Sequence, residues 1–113
     1  MAAFAVGTVV LVHFPFSDLT NAKLRPALVL ANAGRSDYIL CQITSNPYAD
    51  PRALELHDDQ FSQGGLQHIS YIRPAKLFTA NDRIIARAVG TLDSSTQLAV
   101  VESIDRLLRE GIR

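Results

Sequence analysis

The most regular pattern of apolar and polar positions lies near the C-terminal end. Leu98, Val101, Ile104, Leu107 and Leu108 recur at three- and four-residue steps, which predicts one amphipathic helix. Ser94 and Gln97 stand ahead of them at capping-box spacing, and Gly111 is placed to end the helix. Upstream the pattern changes to short β-branched runs. Gly7 to Phe16 reads as a first strand closed by Pro15, which has no backbone donor for a central position. Pro26 suits the first position of a second strand through Ala27 to Ala31, and after a turn over Asn32 to Asp37 a third runs from Tyr38 to Thr44. Ala53 to Leu56 and Gln67 to Ile72 read as a further pair, joined by an acidic, Gly-rich segment from His57 to Gly65, and Ile84 to Leu92 reads as the last strand. Ser17 to Lys23 and Ser45 to Pro51 are rich in turn formers and are predicted to be long loops. The whole describes a mainly β chain, a small and highly curved antiparallel sheet or barrel with a C-terminal α-helix packed on it.

Composition narrows what such a domain can do. At 113 residues the chain suits a single domain over 1–113, and 48% hydrophobic residues place it among ordinary globular proteins. The formal net charge is zero, so the molecule as a whole exerts no strong pull on a phosphate backbone, and any nucleic-acid site has to be local. Cys41 has no partner for an internal disulfide and sits in the apolar run Ile39-Leu40-Cys41-Gln42-Ile43, which predicts a core thiol. Three isolated histidines and one cysteine give no metal-ligand spacing, so neither a metal nor another cofactor is expected. The apolar start lacks a basic leader region, and no run approaches the roughly 20 residues of a membrane span, so a cytoplasmic protein without membrane contact is expected.

Gly7-Thr8-Val9-Val10-Leu11-Val12, then Leu24-Arg25-Pro26-Ala27-Leu28-Val29-Leu30, then Ile43-Thr44-Ser45 form an ordered set. It continues through Ser70-Tyr71-Ile72-Arg73-Pro74-Ala75-Lys76-Leu77-Phe78 and Val89-Gly90-Thr91-Leu92 into the helix. This set resembles toxins of the MazF/PemK family, the sequence-specific endoribonucleases of type II toxin–antitoxin pairs. The resemblance implies an SH3-like barrel of five to seven strands and a two-fold homodimer. It also implies metal-independent cleavage of single-stranded RNA (mRNA), blocked by a cognate antitoxin over the RNA groove. The family's catalytic arginine falls on Arg25 and its threonine on Thr44, with Ser45 beside it.

Metal-free RNA cleavage drives the ribose 2′-hydroxyl onto its own phosphate, which requires a proton acceptor, a proton donor and groups that hold the charged phosphorane. Arg25 suits the last role, because a guanidinium stays charged and grips two phosphate oxygens at once, and the Thr44 hydroxyl adds a further hydrogen bond. The carboxylates that many family members use for proton transfer have no counterparts here. The loop before Arg25 reads Asp18-Leu19-Thr20-Asn21-Ala22-Lys23, and the positions before Ile72-Arg73 hold His68 and Ser70. His68 is the candidate replacement, since histidine exchanges protons near neutral pH, and His13 is the second choice. Asp18, Lys23, Ser45, Ser70 and Arg73 are the expected RNA-binding residues, with Lys76 and Arg83 along the phosphate path and Phe14, Phe16 and Tyr48 available to stack on bases.

Two other functions compete with cleavage. Loss of the carboxylates fits a toxin-fold protein that has become a binding or regulatory module. A gyrase poison of the same fold family would carry a C-terminal Trp-Gly-Ile, whereas this chain ends Glu110-Gly111-Ile112-Arg113 and has no tryptophan.

Overall fold

The computed structural model describes residues 3–15 and 22–112. Among them run seven strands and one α-helix. The strands are β1 (Thr8–Pro15), β2 (Ala22–Gly34), β3 (Asp37–Thr44), β4 (Leu54–Leu56), β5 (Phe61–Gly64), β6 (Ser70–Asn81) and β7 (Ile85–Leu92), and the helix is α1 (Ser94–Arg109). All pairings are antiparallel, in the order β4-β6-β3-β2-β1-β7-β5.

That order forces curvature. Laid flat, seven strands would separate the two edge strands by roughly 29 Å. The edges are β4 and β5, which follow one another in sequence across residues 57–60. A bridge that short spans at most roughly 18 Å, so the sheet curls into a half-barrel with the 3-10 turn at Asp58–Gln60 closing its gap.

Strand alternation then yields two cores. Val9, Leu28, Cys41, Ile43, Leu56, Ile72 and Leu92 bury one face together with Val100 of α1. Their immediate neighbours, among them Val10, Ala27, Val29 and Leu40, bury the other face with Phe4, Phe14 and Phe78 packed against it. Buried on both faces, the middle strands read as nearly unbroken apolar runs rather than as alternating ones.

Several elements depart from the pattern-based reading. β2 is thirteen residues long and begins before Pro26. β1 pairs with it down to Pro15↔Ala22, whereas β3 joins only from Ala27↔Gln42, so Pro26 lies where β2 has a single neighbour and its missing donor is tolerated. β6 runs on through Arg73-Pro74 to Asn81 instead of ending at Ile72. Its register against β3 jumps from Ile43↔Ile72 to Cys41↔Leu77, and this bulge accommodates Pro74. β5 lies inside the segment read as a connection, and β7 starts one residue late, after a 3-10 turn at Asp82–Ile84.

The helix is where the periodicity places it, but its cap and its buried stripe differ. Asp93 is the N-cap, its Oδ1 accepting from the Thr96 N–H at 2.8 Å, while the Gln97 amide donates to the Leu92 carbonyl at 2.9 Å. Thr96 and Val100 are buried and Ile104 packs on the first core, but Leu98, Val101 and Leu108 are exposed. Gly111 has no left-handed φ, and the helix closes instead at Glu110, whose N–H reaches the carbonyls of Arg106 and Leu107.

Candidate active site

The first core does not fill the half-barrel to its end. Beyond Ile43 it opens into a cleft of about 490 Å³. Leu24, Arg25 and Pro26 of β2 form one wall, and Thr44 and Ser45 at the end of β3 form another. The segment from Gly65 to His68 covers one side, and Arg87 and Val89 of β7 complete the lining with Leu11 and Ser70. Residues separated in sequence by forty or more positions therefore converge because β7, β1, β2 and β3 are consecutive neighbours in the sheet.

Two hydroxyls of the cleft, those of Thr44 and Ser70, make hydrogen bonds to neighbouring backbone. Thr44 Oγ1 accepts from the Asn46 N–H at 3.2 Å, which keeps its own O–H available as a donor. Ser70 is buried, and its Oγ donates to the His68 carbonyl at 3.1 Å, which anchors the backbone under the exposed His68 side chain. Arg25 is half-buried, whereas Arg87 and His68 are exposed. The cleft lining holds two arginines and no carboxylate among the described residues.

Gly64 sets the origin of the covering segment. It has φ +65°, and a Cβ there would stand 2.1 Å from the Val89 carbonyl oxygen, so only glycine lets β5 approach β7 so closely before the chain turns over the cleft.

The loop from Ser45 to Ala53 leaves the cleft wall and is braced from β6. Arg73 Nε donates to Asp50 Oδ2 at 3.1 Å, with both side chains largely buried, and Arg73 Nη1 reaches Gln42 Oε1 at 3.4 Å. Hydrogen bonds from the Arg52 N–H and from Arg73 hold the Asp50 carboxyl below its ordinary range. Pro47 to Asp50 make a turn closed by the Asp50 N–H to the Pro47 carbonyl at 2.9 Å, with Tyr48 and Ala49 both in the left-handed region at φ +53° and +56°. Glycine and asparagine suit those positions, and other residues there cost of order 1–2 kcal/mol each.

A model of PemK-like, MazF-like toxins of type II toxin–antitoxin systems matches residues 5–108. The chain belongs to this toxin family. Solved MazF-like structures share its fold. A MazE–MazF crystal structure from Deinococcus radiodurans superposes with a TM-score of 0.79 at 17% identity, covering 98% of this chain and 100% of that one. An endoribonuclease in complex with its cognate antitoxin, from a mycobacterial species, gives 0.73 at 14% identity over 96% and 95%. The Mycobacterium tuberculosis toxin MazF-mt6 gives 0.68 at 18% identity over 89% and 95%. No curated protein matches the chain in sequence.

Set on this toxin fold, the residues singled out from the sequence divide. Arg25, Thr44, Ser45, His68 and Ser70 meet in the one cleft. Arg73 is not in the lining; it is engaged with Asp50, Gln42 and the face of Tyr48, whose ring centroid lies 5.3 Å from its guanidinium carbon. Lys23 is exposed on β2 opposite Phe14, and His13 is exposed opposite Leu24. Phe14 packs against Phe78 at 4.9 Å between centroids with the rings tilted at 59°, as a core residue does, and Arg83 bonds back to Asn81. Asp18 and Phe16 lie outside the described residues. Arg87 and Gln67 were missed by sequence reasoning. For Arg87 the available signal was a cation inside the otherwise largely apolar run from Ile84 to Leu92. Among the described residues no cluster of three metal-binding side chains occurs, and no helix is long and apolar enough to cross a membrane.

Cys41 lies under this region rather than in it. Burial pushes its thiol up to about 12, and its Sγ donates to the Arg73 carbonyl at 3.0 Å.

Proposed function

We propose that this toxin is a metal-independent, sequence-specific endoribonuclease of single-stranded RNA. The observation that carries the reading is the cleft itself. In a chain of zero net charge, it gathers Arg25, Arg87, Thr44, Ser45, Gln67 and His68 with no described carboxylate among them, which suits a phosphodiester.

In the reaction, the ribose 2′-oxygen bonds to the adjacent phosphorus as the bond to the 5′-oxygen breaks, leaving a cyclic phosphate and a 5′-hydroxyl. Arg25 holds two non-bridging oxygens as negative charge builds on the phosphorane, and the Thr44 hydroxyl donates to the same group. His68 takes the proton from the 2′-hydroxyl as that oxygen attacks, and solvent water supplies a proton to the departing 5′-oxygen. Ser70 positions His68 through its carbonyl. Arg87, Ser45 and Lys23 guide the flanking phosphates.

The partners follow from the same chemistry. An acidic, partly disordered antitoxin peptide would occupy the cationic cleft in place of RNA. The exposed Val6, Leu98 and Val101 support a two-fold homodimer.

Sequencing the 5′ ends of a long unstructured RNA treated with the purified protein tests the reading. Cutting at one short motif, with 5′-hydroxyl ends and unchanged by EDTA, is the expected result. Arg25→Ala should lower kcat by about 100-fold or more, and His68→Gln by a similar factor. Equal cutting by wild type and Arg25→Ala would remove the assignment of Arg25. The absence of carboxylates from the described lining also favours a second reading, a binding module that retains the toxin fold, and binding of RNA without any cleavage would establish it.

A further inference from the structure

We infer that Tyr48 is a base-stacking residue for the substrate strand and that Asp50 and Arg73 are its positioning residues, so that the RNA path leaves the cleft over the Ser45–Ala53 loop. This rests on the reading that RNA occupies the cleft.

Three observations converge on Tyr48. The residue is 58% exposed although it is a large aromatic one, so burial does not explain it. It is held at φ +53°, a conformation tyrosine rarely adopts, in a turn braced by the largely buried Arg73–Asp50 pair. The Arg73 guanidinium lies over its ring at 5.3 Å and draws on the π-electrons, while the exposure leaves ring surface open to a base.

A short relay connects this ring to the cleft. Thr44 Oγ1 accepts from the Asn46 N–H, and Asn46 Oδ1 accepts in turn from the Tyr48 N–H at 2.8 Å. The backbone that carries the Thr44 hydroxyl therefore also sets the height of the ring. Asp50 closes the far end, since it accepts from Arg73 Nε and from the Arg52 N–H at 2.9 Å. Stacking tolerates any base but favours purines, so the ring would contribute affinity and a preference at one nucleotide beside the cut.

The test uses an RNA oligonucleotide containing the mapped cut site, with kcat, KM, the 5′-end profile and Tm measured for Tyr48→Ala, Tyr48→Phe, Asp50→Asn and Arg73→Lys. Tyr48→Ala should raise KM about tenfold, with the loss falling on KM rather than kcat and the preference flattened at one flanking nucleotide. Tyr48→Phe should recover most of that loss. Asp50→Asn and Arg73→Lys should raise KM less and weaken the preference at the same nucleotide. An unchanged KM and profile in Tyr48→Ala would overturn the proposal. So would equal losses of kcat and KM in Asp50→Asn with no change at that nucleotide. If the wild type cuts no RNA, the cleavage reading fails separately. Quenching of tyrosine emission by unstructured single-stranded RNA oligonucleotides of mixed sequence then decides, because the chain has no tryptophan and, of its three tyrosines, Tyr38 is buried and Tyr71 half-buried. Binding weakened by Tyr48→Ala supports stacking, and binding that is absent or indifferent to it refutes stacking.

Discussion

Two Arg-Pro steps occur in this chain, Arg25-Pro26 and Arg73-Pro74, and side-chain surroundings alone separate their roles. Arg25 stands in the cleft wall, whereas Arg73 is drawn inward by Asp50, a residue twenty-three positions earlier on a loop no local pattern could place beside it. Removing the Arg73 side chain leaves a largely buried carboxylate without its cation, so Arg73→Ala should destabilise the fold by about 2 kcal/mol in urea denaturation. The sign of the pH effect follows from Asp50, whose carboxyl is held low in the folded state. That contribution is fully present at neutral pH and is lost as the pH falls from about 4 through the folded value. Asp50→Asn should therefore show a shallower fall of Tm on the acid side than wild type. Cys41 offers an independent check of the core. Buried and protonated at neutral pH, it should resist a thiol reagent in the native protein and react fully in denaturant, and rapid native labelling would contradict its placement.

Among the elements, β5 and α1 show where local patterns suffice and where they do not. The period of α1 was legible, but its buried stripe was rotated from the one that the apolar residues suggested, because Thr96 and Val100 face the sheet while Leu98, Val101 and Leu108 stay outside. Hydropathy marks which residues can be buried; the docking angle decides which are. Asp93 is the observed cap, and hydrogen bonds from Thr96 hold its carboxyl below the ordinary range. Asp93→Ala should lower Tm, and Ser94→Ala should not. β5 is too short and polar to announce itself, and it exists because Gly64 and Gly90 allow two backbones to meet. Gly64→Ala meets both a backbone oxygen and a positive φ, and a loss of 2 kcal/mol or more is expected by denaturation.

At the scale of the whole molecule, a neutral chain with two arginines in its cleft should, on the proposed function, bind RNA with a modest salt dependence. The slope of log affinity against log salt should fall by about 0.7 in Arg25→Ala, as expected for one lost contact to a single strand, and an unchanged slope would place Arg25 off the phosphates. By itself the sequence determined the class of fold, the terminal helix, the burial of Cys41 and the family, because these rest on local periodicity, burial preference and an ordered set of motifs. It also named five residues that prove to share a cleft. Only the tertiary structure decided that Arg87 joins them, that Arg73 turns away to brace a loop, and that Ser70 serves the His68 backbone. Those outcomes depend on strand order and register, which bring distant residues within ångströms of one another and leave no mark on any single stretch of chain.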